Sequence, residues 1–102
     1  MAKSDDDDRR VNYRLFYPAH LRPKLSLGSE TKDVLDISEW GLRFALGKGK
    51  RVAPGDRLFG TVRFRHAPSH SIIATVVRIG NHDVSARLEV GFDFRVIAEE
   101  HG

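Results

Sequence analysis

At 102 residues with a formal charge of +3, the chain has room for one core and none for a catalytic cleft between domains. The absence of cysteine excludes a disulfide framework and thiolate chemistry and suits a cytoplasmic protein. No stretch approaches the ~18 to 20 apolar residues of a membrane span, so no membrane insertion is expected.

Charge is unevenly placed along the chain. Residues 1–8 hold Lys3 and the run Asp5 to Asp8, a net of −3, which leaves +6 on residues 9–102. The acidic run reads as a disordered, solvated tail; a second reading has it screen the arginines beside it. Twelve arginines against five lysines favour planar, bidentate recognition of phosphate or guanine. Arg63, Arg65, Arg87 and Arg95 read as solvated strand arginines.

The first element is a loop, Arg9-Arg10-Val11-Asn12-Tyr13-Arg14, anchored by Tyr13, Phe16 and Tyr17. Period-two alternation then begins: Leu21, Pro23, Leu25 and Leu27 share one face of a first strand. A turn around Gly28 to Lys32 leads to a second strand near Asp33 to Ile37. Asp36-Ile37-Ser38-Glu39-Trp40-Gly41 marks a chain reversal, and Leu42, Phe44 and Leu46 alternate in a third strand. Three glycines and Pro54 make a loop of residues 47–56.

Leu58, Gly60, Val62 and Phe64 define a fourth strand. Ile72 to Ile79, apolar on both faces apart from Thr75 and Arg78, reads as a central fifth strand. After the turn Gly80-Asn81-His82-Asp83, alternation from Ala86 to Phe94 gives the sixth. Phe44, Phe64, Phe92 and Phe94 are in phase with leucine and valine and read as buried.

Six short strands and no helix of useful length predict an all-β domain, a small antiparallel barrel or sandwich, and closure into a barrel would remove exposed edges. The predicted organisation is a tail over 1–8, the barrel with its arginine-rich arm over 9–98, and a short tail over 99–102. Residues 97–102 allow little or no C-terminal helix, about one turn at most.

The arginine-rich loop and Asp-x-Ser-x-x-Gly, in that order, resemble the two signatures of the PilZ family, receptors for the bacterial second messenger cyclic di-GMP. The resemblance covers nearly the whole chain. It implies the barrel of the two, a six-stranded antiparallel β-barrel with a flexible N-terminal arm. It also implies a ligand-binding set of Arg9, Arg10, Arg14, Asp36, Ser38 and Gly41, with Arg78 near where some relatives place a base-stacking side chain.

The chemistry fits those assignments. An arginine fork matches a phosphate or the N7/O6 edge of guanine, and a carboxylate matches the guanine donor edge. Asp36 and Ser38, two residues apart, share a face, and Gly41 permits a positive φ and close approach of the strand to a base. Taken without the arginines, Asp, Ser and Gly also make an ordinary turn. Arg78 equally suits a snorkelling surface position. Trp40 either packs or stacks on ligand. By the same resemblance, Arg9 favours two stacked, intercalated ligand molecules over one.

Scattered histidines (His20, His66, His70, His82, His101), with no nucleophile elbow or phosphate-binding glycine loop, argue against an enzyme, a metal or a cofactor. The expectation is a cytoplasmic cyclic di-GMP receptor that acts through its surface or arm on an unidentified effector protein in motility, biofilm or polysaccharide output. Two alternatives stand beside it: a small basic barrel for single-stranded nucleic acid, and an adaptor of the same fold that binds no nucleotide.

Overall fold

A computed structural model describes residues 14–49 and 51–101. The acidic run Asp5 to Asp8, Arg9 and Arg10 lie outside the described residues. The strands are β1 (Leu15–Phe16), β2 (Lys24–Leu27), β3 (Glu30–Ser38), β4 (Gly41–Ala45), β5 (Arg57–Arg63), β6 (His70–Ile79) and β7 (Asp83–Leu88), followed by helix α1 (Phe94–His101). All pairings are antiparallel.

The hydrogen-bonded order β3-β2-β5-β6-β7-β4 closes on itself because β3 also pairs with β4. The result is the expected six-stranded barrel. β1 is an unforeseen seventh strand, laid against the C-terminal half of β3 by Leu15↔Ile37 and Phe16↔Asp36. Closure lets one face of every strand fill the barrel. Leu25, Val34, Leu42, Phe44, Val62, Ala74, Val76 and Val84 form the centre of the core, each at most 2% exposed.

The same closure corrects the reading of β6 as buried on both faces. Its outer face meets solvent, and Ile73 and Val77 are exposed there. Phe59, outward on β5 and opposite Ile73, is exposed too, as is Phe94. Phe44, Phe64 and Phe92 are buried as their phase predicted.

Two β-bulges break the alternation, one in β3 between Val34 and Asp36 and one in β6 between Val76 and Arg78. Each inserts one residue and reverses the facing of the residues beyond it. Val34 and Ile37 therefore both point into the core, three residues apart, and Asp36 points outward. In the same way Val76 and Ile79 face inward and Arg78 faces out.

The C-terminal segment is more structured than expected. The chain leaves the sheet after Leu88, not at Phe94, and forms a helix of roughly two turns. Asp93 caps it: its carboxylate accepts from the Arg95 amide at 2.9 Å and its carbonyl from the Val96 amide at 2.8 Å. Val96, Ile97 and Glu100 are buried, so residues 99–101, expected as a tail, complete the helix. Glu100 fastens it. Its carboxylate accepts from the Tyr17 hydroxyl at 2.7 Å and from the amides of Arg65, His66 and Ala67 at 3.1, 2.5 and 2.9 Å.

Candidate functional site

The site is built on the outer face of β3 and β4, where cross-strand register lines up side chains from five strands. One row runs Phe16–Asp36–Arg43–Ser85–Arg78, from β1 across β3, β4 and β7 to β6. A second, parallel row runs Ser38–Gly41–Arg87–Thr75. Residues directly opposite one another share a face, so both rows present their side chains outward.

Asp36 is the centre of the first row. It is 1% exposed although it faces away from the core, because two guanidiniums cover it. Arg14 Nη1 donates to its Oδ1 at 2.6 Å and Arg43 Nε to its Oδ2 at 2.6 Å. Arg43 Nη1 reaches on to Asp83 Oδ2 at 2.5 Å, giving a chain of alternating charge: Arg14, Asp36, Arg43, Asp83. The hydrogen bond to Asp36, then that to Asp83, raises the proton affinity of Arg43 above its ordinary value and outweighs the effect of burial.

Ser38 and Gly41 join this group. Ser38 is buried beside the turn, and its hydroxyl makes a long contact of 3.4 Å to the Gly41 carbonyl. The expected reason for Gly41 needs correction, since its φ is not positive. Space is what requires glycine here: a Cβ would lie 3.0 Å from the Ala86 carbonyl oxygen, 3.6 Å from Ser38 Oγ and 3.8 Å from Arg14 Nη2. The tight contact is the one with the Ala86 carbonyl on the neighbouring strand, so a side chain at position 41 would press on the β4–β7 pairing next to Arg14.

Trp40, at the turn between β3 and β4, is half exposed at 50%. It packs over Gly91, where a Cβ would come within 3.0 Å of the indole and 2.6 Å of the Glu39 carbonyl. Its backbone is tied down by the Leu88 amide donating to Trp40 O at 2.9 Å and the Phe92 amide to Glu39 O at 2.7 Å. The indole is thus a fixed, partly wet surface beside Gly41.

Of the residues singled out from sequence, Arg14, Asp36, Ser38 and Gly41 meet at one place. Arg78 lies in the same row as Asp36 but three strand steps away, ~14 Å at the usual strand spacing. Arg9 and Arg10 lie outside the described residues. Sequence reasoning missed Arg43, Asp83 and Phe16. Alternation did put Arg43 outward between Leu42 and Phe44, but its partners come from register alone. Phe16, expected to anchor the arm, is 63% exposed next to Asp36; the anchor is buried Tyr17.

Among the described residues no group of His, Cys, Asp and Glu is placed to hold a metal ion, and no helix is long and apolar enough to cross a membrane. Comparison with curated proteins finds no match. The family model for the PilZ domain, in general a cyclic di-GMP-binding or adaptor domain and not a catalytic one, matches residues 8–102. A match of that extent, to a chain whose strands close into this barrel, places the protein in the PilZ family.

Proposed function

We propose that this chain is a cyclic di-GMP receptor in which the ligand takes the place of Arg14 on Asp36. The observation that carries the reading is the capped carboxylate. Asp36 is paired with two arginines, outward-facing and 1% exposed, and its cover on one side is an arginine that is itself 42% exposed and on the N-terminal segment. A guanine donor edge can replace that guanidinium on Oδ1, while Arg43 stays on Oδ2 and keeps the carboxylate aimed. Arg14, once released, joins Arg9 and Arg10 in binding phosphate or the N7/O6 edge.

Such an exchange suits a switch. The ligand trades one charge-assisted hydrogen bond for another at Asp36 and gains the freed arginines, so several contacts of about 1.5 to 3 kcal/mol each are sufficient for micromolar affinity, about −8 kcal/mol. Release of Arg14 from Asp36 changes the surface offered to an effector protein. The output proposed is cytoplasmic regulation of motility, biofilm or polysaccharide production. No cofactor and no metal is needed for this reading.

Calorimetric titration with cyclic di-GMP, beside GTP and a single-stranded oligonucleotide, tests it. We expect micromolar binding of cyclic di-GMP, two ligands per chain if Arg9 supports an intercalated pair, and a ten- to hundredfold loss in Arg10→Ala. Absence of heat with the wild-type protein would defeat the proposal. Oligonucleotide binding with a steep salt slope would put the nucleic-acid reading in its place.

A further inference from the structure

Beside the acid site, the outward rows set one short side chain among long cationic ones. Ser85 lies between buried Val84 and Ala86 and points outward. Arg43 and Arg78 flank it across the two neighbouring strands, and Arg87 follows it by two positions on the same face of β7. A small hydroxyl therefore has an arginine opposite it on each neighbouring strand and a third two residues along its own strand.

Two of these three arginines differ from the paired cations elsewhere on the barrel wall. Arg57 is bound to Glu89 at 2.8 Å, and Lys24 and Arg22 share Asp33. Arg78 and Arg87 are exposed and make no ion pair with a described residue. Arg43 is held flat by Asp36 and Asp83 through Nε and Nη1, so its Nη2 edge is left for another acceptor. The charge of Asp83 is already engaged by that contact. Positive potential thus collects over Ser85, where the short side chain lets an anion approach the strand.

We infer that the outer face at Ser85, flanked by Arg43, Arg78 and Arg87, is an anion subsite that takes a phosphate of the nucleotide whose base lies on Asp36. This rests on the receptor reading above. The spacing fits: Asp36 and Ser85 are two strand steps apart, ~10 Å, a span comparable to that from the donor edge of a purine to its own phosphate. Three guanidiniums and a hydroxyl match the two free oxygens of a phosphodiester. The subsite also gives Arg78 its place, as a phosphate contact at the far end of the row.

The test uses Ser85→Glu, which sets a carboxylate among the arginines, and Arg87→Ala, which removes one of them without touching Asp36. Each is titrated with cyclic di-GMP, and amide chemical shifts are followed with inorganic pyrophosphate. We expect Ser85→Glu to weaken cyclic di-GMP at least tenfold. Arg87→Ala should weaken it about fivefold with a shallower salt dependence. Pyrophosphate should shift the amides of Ser85 and Arg87 in the wild type and not in Ser85→Glu.

If both variants bind as wild type while Arg10→Ala is impaired, the subsite is wrong and the receptor reading stands. If the wild type ignores cyclic di-GMP but pyrophosphate shifts Ser85 in a way that Ser85→Glu abolishes, the anion subsite stands and the messenger is another phosphate compound. Failure of both probes overturns both.

Discussion

Asp36 and Glu100 are both buried acids, at 1% and 6% exposure, but the first is met by two arginine side chains and the second by a phenol and three backbone amides. The donors to Glu100 belong to the chain trace itself and to a buried tyrosine, and they cannot leave while the barrel end stays closed. The donors to Asp36 are long, partly exposed side chains, and Arg14 can swing into water without unpairing a strand. Hydrogen bonds from the main chain make a staple; hydrogen bonds from partly exposed side chains leave a carboxylate that a ligand could reach.

The largest expected effect is on the staple. Glu100→Ala strands three amides and the Tyr17 hydroxyl and should cost about 3 kcal/mol, a fall in Tm of roughly 10 to 20 °C for a domain of this size, read by thermal melting. Ligand affinity measured well below that Tm should change little. A melt equal to wild type would erase the distinction between the two acids.

The staple also predicts a pH profile. Burial alone would raise the pKa of Glu100, but the Ala67 amide, the Tyr17 hydroxyl and the amides of His66 and Arg65 outweigh it and hold the carboxyl below its ordinary 4.5. Its stabilisation is present above that value and is lost as pH falls through the lower folded value. Tyr17 has the opposite sign. Burial first, then the Glu100 carboxylate, raises its phenol well above the ordinary 10, so stability declines as pH rises beyond about 10. Glu100→Gln should flatten the acid limb of a Tm-against-pH curve.

On the site side the effects move from stability to binding. Asp36→Ala should lower cyclic di-GMP affinity more than a hundredfold, through loss of charge-assisted bonds worth about 3 kcal/mol. Its cost in stability should stay near 1 kcal/mol, because Arg14 and Arg43 can turn to solvent. Arg14→Ala should cost ten- to a hundredfold in affinity and leave the melt unchanged. The single tryptophan, Trp40, gives a fluorescence readout beside the turn for both.

The smallest effect concerns Phe16. It is exposed beside Asp36; on the receptor reading it would stack on a base held by that carboxylate, and Phe16→Ala should weaken binding about fivefold, near 1 kcal/mol, with no change in Tm. Unaltered affinity would confine the base to the Asp36 side of the row.

Much of this was legible in the residues themselves. Alternation located six strands and most of the barrel lining, since a closed sheet has one dry face and side chains alternate across it. The short patterns around Arg14 and Asp36 marked the place where Arg14, Asp36, Ser38 and Gly41 meet. Tertiary structure decided which way the decisive side chains point. Period two places Asp36 in phase with Val34 and Arg78 in phase with Val76, and only the two bulges turn them outward. An extra residue in one strand is defined by the strand opposite it, so no local pattern contains it. The same holds for Arg43 between Asp36 and Asp83, and for Tyr17 and Glu100, 83 positions apart: their partners are neighbours in register or in space, and the chain alone does not record that distance.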